Sequence, residues 1–266
     1  SGDKGYGIIT DGTEINNAGN ITFNNPVTSK NASVGIYTKS SDKITNSLIG
    51  KIKLGKNSVG IYGKRVLNKG TITVGNDGTG IYSEGGNVDL SATSKINIGA
   101  NKAVGVFTKG AGQIITAAAG STMTIGDSSF GFLNEGTGNT INSNVASQTL
   151  GNDGTYIYSS DTAGVVNNNT ALTSTGLYNY GLYSAGTVTN NADINFGSGM
   201  GNVGIYSTYG GTATNLSGRS VTVGASYIDP NNSLNNRYAV GMAAGFNGDG
   251  NPAKAYTGNV VNEGTI

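Results

Sequence analysis

Apolar residues in this chain alternate with polar ones in short bursts, not at helical intervals. Lys51 and Lys53 interleave with Ile52 and Leu54, Thr71 and Thr73 with Ile72 and Val74, and Lys95 and Asn97 with Ile96 and Ile98. A period of two over four residues predicts a half-buried strand with one dry face. Each of these strands closes on a glycine, and a second strand opens shortly after it, written VGIY at 34 and again at 59. Strict alternation there puts Val34, Ile36, Val59, Ile61, Val104 and Val106 on the aliphatic face and Gly35, Tyr37 and Lys39 on the other. A third, less regular piece carries Asn-x-Gly-x-Ile, as NAGNI from 17, NKGTI from 68 and NEGTI from 262. Asn and Gly tolerate positive φ, which a sharp corner between strands needs.

The same phrase recurs along the whole chain. The glycine inside the second strand falls at Gly7, Gly35, Gly60, Gly80, Gly105, Gly131, Gly181, Gly204 and Gly241, with Tyr156 in its place once. The glycine closing the first strand falls at Gly55, Gly75, Gly99, Gly126, Gly151, Gly176, Gly197 and Gly224, usually five residues earlier. Three short strands and three corners in about 25 residues describe one coil of a β-solenoid. The fold expected is therefore all-β: a right-handed parallel β-helix of about ten coils with ~25-residue repeats, its hand set by the crossover rule. Left-handed helices and β-rolls are built from shorter hexapeptide or nonapeptide repeats, and a β-sandwich lacks this self-similarity.

Two columns follow from the register. Ile36, Ile61, Ile81, Val106, Ile157, Leu182 and Ile205 are expected to stack in the interior. Tyr37, Tyr62, Tyr82, Phe107, Tyr158, Tyr183 and Tyr206 occupy one position in their coils and predict a ladder of rings about 4.8 Å apart along the outside. The alternative is that these rings point into a core corner, with Leu133 continuing their column.

Composition agrees with short strands and many turns: 45 glycines, 35 asparagines, three prolines and 12% charged residues. A hydrophobic share of 36% and a net charge of +1 argue against a solvated coil. Cysteine and histidine are both absent, which excludes disulfides, thiolate nucleophiles and Cys/His zinc sites. No run approaches the roughly 18 apolar residues of a membrane span, and SGDKGYGIIT lacks the regions of a signal peptide. NEGTI stops where NKGTI continues into TVG, so residues 1–266 read as an excerpt from a longer chain.

At VGIYTK, VGIYGK, TGIYSE and VGVFTK, with GKIKLG and NKGTITVG between, the chain resembles the passenger domains of autotransporter (type V secretion) adhesins, especially the very large fusobacterial outer-membrane ones. The resemblance covers the whole chain in repeat style. It implies a passenger segment displayed on the bacterial cell surface, exported through a C-terminal β-barrel outside this segment. Such a segment mediates attachment to a host or bacterial surface protein or glycan, with no shared catalytic residues and no cofactor. A monomer is expected, without membrane insertion and without nucleic acid.

Two other functions fit a β-helix. One is a stalk that presents a distal binding domain. The other, by analogy of fold, is a polysaccharide lyase or hydrolase. An enzyme of that kind needs clustered carboxylates, or a basic residue flanked by calcium-binding acids on one face, whereas the 15 acids are scattered, so a non-enzyme is expected. NGDGN at 247–251 lacks the further acids of a calcium loop and reads as a turn, so no metal is expected.

Charge is uneven: residues 1–109 hold 13 basic and 7 acidic side chains, residues 110–266 hold 3 and 8. Lys51, Lys53, Lys56, Lys64, Arg65 and Lys69 fall in an acid-free stretch that suits an acidic glycan or lipopolysaccharide. Lys39, Lys64, Glu84, Lys109 and Glu135 occupy one position up the rod and suggest cross-coil charge pairing. The largest departure from the repeat is the corner between Gly224 and Gly241, 17 residues apart where five is usual. This 225–238 insertion holds Tyr227, Asp229, Arg237 and Tyr238, amphipathic and charged groups typical of binding hot spots, and they are the candidate ligand-binding residues. Pro230 and four asparagines, Asn231, Asn232, Asn235 and Asn236, are suited to pre-forming the loop. A smaller insertion separates Asn24 from Gly35. Because a regular rod offers no cleft, binding is expected through the loop itself.

Overall fold

The computed structural model describes residues 5–24, 32–245 and 258–266. It is a parallel β-helix with three faces. Two faces are ten-stranded sheets, and the third consists of a five-stranded and a four-stranded sheet. The first sheet runs from Tyr6–Ile9 to Val240–Ala244, the second from Ile15–Asn17 to Asn259–Asn262. Helix among the described residues is limited to one 3₁₀ turn, Ser233–Asn235.

Each strand pairs with its counterpart one coil away, so identical positions form columns along the axis. In the first sheet Ile36 pairs with Ile61, and Ile61 with Ile81. The column continues through Val106, Phe132, Ile157, Leu182 and Ile205, all buried, as the repeat predicts. Ile44, Val66, Val88 and Ile115 form the matching column of the second sheet, and Ile52, Ile72, Ile96 and Met123 that of the third. A buried aliphatic side chain contributes about 1.5–3 kcal/mol, whereas ordering one residue's backbone costs about 1–2 kcal/mol. A few aliphatics cannot order a whole coil, and stacking on neighbours makes up the difference.

Strict alternation fails at the VGIY glycine. Val34 and Val59 are half-buried like Tyr37 and Tyr62, while Gly35 and Gly60 are buried beside Ile36 and Ile61. The pairing skips the glycines as well: Val34 meets Val59 and Ile36 meets Ile61. The third face explains this. A Cβ on Gly35 would lie 2.5 Å from the Gly60 carbonyl oxygen and 2.7 Å from Cγ2 of Ile52. Glycine marks the line where the first and third sheets touch, so Val34 and Val59 leave the interior face assigned to them by alternation.

The asparagine of Asn-x-Gly also has a different task from the expected one. Positive φ is found instead at Asn57, Asp77, Asn101 and Asp153, in the corner between the third and first sheets. Asn17, Asn46 and Asn68 are buried, and their amides form a chain: Asn17 Nδ2 donates to Asn46 Oδ1 and Asn46 Nδ2 to Asn68 Oδ1, both at 2.8 Å. A second run links Asn168, Asn190, Asn215 and Asn262 at 2.8–3.0 Å. Between the runs the same column holds Leu90, Ala117 and Ser143.

Tyr156, which replaces the glycine once, is fully buried. Its ring meets Phe132 edge-on at 5.7 Å, and its hydroxyl lies 2.6 Å from Ser143 Oγ. The third face divides in this region: Thr122–Thr124 ends one sheet and Ser147–Leu150 begins the other. A ring now fills the space where a third-sheet side chain elsewhere presses on a glycine.

Candidate functional site

An aromatic ladder runs along the outer surface of the first sheet. Tyr37, Tyr62 and Tyr82 stack with centroids 4.9 and 5.1 Å apart, and Tyr158, Tyr183 and Tyr206 with centroids 4.7 and 5.0 Å apart. Their half-buried state, opposite the buried Ile column, places the rings outside the core. Burial first, then Glu84, raises the pKa of the Tyr62 and Tyr82 phenols, and burial raises those of Tyr158, Tyr183 and Tyr206.

The 225–238 insertion emerges beside the upper part of this ladder. Its base is a two-residue antiparallel bridge: Tyr227 N donates to Arg237 O at 2.8 Å, and Arg237 N returns the bond to Tyr227 O at 2.9 Å. Tyr227 sets its ring edge-on to Tyr178 at 5.8 Å, which fixes the bridge to the rod. The tip is organised by Asp229. Its Oδ1 accepts from the backbone N–H groups of Asn231 and Asn232 at 2.8 and 3.2 Å, and its Oδ2 from Asn235 Nδ2 at 2.8 Å. Asn236 Oδ1 accepts from Asp229 N at 2.9 Å. The Asn235 amide and then the Asn231 N–H hold the Asp229 carboxyl below its ordinary pKa.

The four candidate residues therefore divide. Arg237 and Tyr238 line a groove of about 410 Å³ together with Tyr180, Val203, Tyr206 and Val240 of the first sheet. Tyr227 anchors the loop, and Asp229 is engaged by the loop's own donors. The expectation of a rod without a cleft is thus corrected: the loop folds back along the sheet and makes one. Sequence reading missed Tyr180, Val203, Val240 and Ala243 as groove residues. The available signal was that aligning the coils places Ala243 in the tyrosine column.

The basic stretch is not one patch. Lys51 and Lys53 stand on the third face, in register with Thr71 and Thr73. Lys43 pairs with Arg65 on the second sheet, and Lys64 follows Tyr62 of the ladder. The Lys39 to Glu135 column forms no ion pair among the described residues, and Glu84 instead accepts from Tyr82 Oη at 3.4 Å. Among the described residues no three acidic side chains gather as a metal site. NGDGN at 247–251 lies outside the described residues, as does most of the smaller insertion after Asn24.

No family model, no curated protein and no solved structure matches the chain.

Proposed function

We propose that this chain is a surface-displayed adhesin segment in which the β-helix is the rod. The 225–238 loop, with the groove at its foot, would be its contact surface for a protein or glycan on another cell. The supporting observation is the pre-ordered loop. Asp229, its asparagine donors and the Tyr227–Arg237 bridge fix the loop before any partner arrives, which reduces the ordering cost of binding. Arg237 and Tyr238 then stand exposed at the groove, residue types that dominate binding energy at interfaces.

The test is adhesion of the purified segment to host cells, partner bacteria and immobilised glycans, comparing wild type with the double variant Arg237→Ala, Tyr238→Ala. Adhesion is expected to fall at least tenfold, about 1.4 kcal/mol of binding energy. The melting temperature should stay nearly constant, because both side chains are exposed. The uninterrupted axial pairing of the first and second sheets favours a second reading, a pure stalk. Unchanged adhesion of the double variant to every partner of the wild type would select it.

A further inference from the structure

The tyrosine ladder changes character under the loop. Tyr183 stacks on Tyr206 at 5.0 Å, but the next position in register is Ala243. The ladder also lacks a ring at Leu133, and there the same strand supplies a substitute: Phe130 brings its ring edge-on to Tyr158 at 6.1 Å. The position equivalent to Phe130 on the Ala243 strand is Val240. The volume that a ring at 243 would fill belongs to the 410 Å³ groove, bounded by Ala243, Val240, Val203 and Tyr238, with Arg237 at its rim.

We propose that this groove receives an aromatic side chain of a partner polypeptide, at a site where that side chain is flanked by a carboxylate. The inference rests on the function proposed above and names the chemistry of its partner. The walls are aliphatic and aromatic, which suits a planar apolar ring. A pyranose, polar along every edge, would bury several hydroxyls against a lining surface that is mainly apolar. The carboxylate follows from Arg237. Its Nη1 donates to the Leu234 and Asn236 carbonyls, and no carboxylate among the described residues pairs with it. A guanidinium beside an apolar slot favours an anionic group next to the inserted ring.

The chain contains no tryptophan, so a tryptophan peptide reports its own binding by fluorescence. The probes are N-acetyl-Asp-Trp-Asp amide, N-acetyl-Lys-Trp-Lys amide and N-acetyl-Asp-Ala-Asp amide, the last used as a competitor, together with a panel of neutral and acidic oligosaccharides. The acidic tryptophan peptide is expected to bind saturably at millimolar concentration or below, at least fivefold tighter than the basic one. Arg237→Ala should abolish that preference. Ala243→Phe, which supplies the missing ring from the chain itself, should weaken binding at least tenfold without lowering the melting temperature.

Absence of binding by the acidic tryptophan peptide would overturn the inference. So would equal binding of the two tryptophan peptides, full competition by the alanine peptide, or displacement by an oligosaccharide alone. Adhesion measured in parallel separates the two proposals. Loss in the Arg237→Ala, Tyr238→Ala variant with full adhesion of Ala243→Phe removes the aromatic slot and keeps the adhesive loop. Full adhesion in both removes both.

Discussion

Asn46 accepts a hydrogen bond from the coil below and donates one to the coil above, in a place closed to water. Replacing it with leucine leaves the Asn17 donor and the Asn68 acceptor without these partners, at about 1–3 kcal/mol for each buried group. A loss of about 2–6 kcal/mol in urea denaturation is therefore expected for Asn46→Leu. Leu90 occupies the same column, so the cost would come from polarity, with shape a minor factor. The glycines offer a paired contrast. A Cβ on Gly60 would lie 2.4 Å from the Gly80 carbonyl oxygen and 2.6 Å from Ile72 Cγ2, whereas one on Gly19 meets no heavy atom within 4 Å. Gly60→Ala should destabilise the rod by about 1–3 kcal/mol. Gly19→Ala should be neutral or stabilise by up to about 1 kcal/mol through the unfolded chain. Thermal melts of the two variants check both signs.

At the level of the strands, the tyrosine ladder predicts a response to alkali. The phenols of Tyr62, Tyr82, Tyr158, Tyr183 and Tyr206 are raised in the folded state above the unfolded value of about 10. Beyond that pH the unfolded chain has released protons that the folded chain still holds. The stabilising contribution is therefore complete below about pH 10 and declines as pH rises further. Phenolate absorbance from the ladder should appear together with loss of the β circular-dichroism signal, and non-coincident transitions would contradict this. The ladder and the Ile36 column were both legible in the sequence, because a solenoid converts periodicity directly into contact. The inward turn of Gly35 was not, since a strict period of two presumes one isolated strand and here a second sheet presses on it. Nor was the role of Asn17 and Asn68, whose conformational preference suggested a corner while their amides serve the interior. The groove depends on which way the 225–238 loop folds, and that direction is set by Tyr178 and Gly201, which the repeat pattern does not mark. A Cβ on Gly201 would lie 2.7 Å from Arg237 Cβ, so the loop closes onto a glycine.

The molecule as a whole is held together along one axis. Hydrogen-bond ladders, the ring stack and the amide chains all link a coil to the coil above and below. Amide exchange should accordingly be slowest in the middle coils and faster toward both ends of the described rod, because an interior coil must lose two neighbours to open. The same arrangement governs the response to tension. A pull on the two ends of the chain loads one coil's ladder at a time, so the rod should unwind coil by coil and would not rupture all at once. A step from Ile157 to Leu182 or from Ile36 to Ile61 frees 25 residues, roughly 80–90 Å of contour at full extension. In the role proposed above, a tether between two cells, this would act as a shock absorber: length is released one coil at a time while the remaining coils keep their grip.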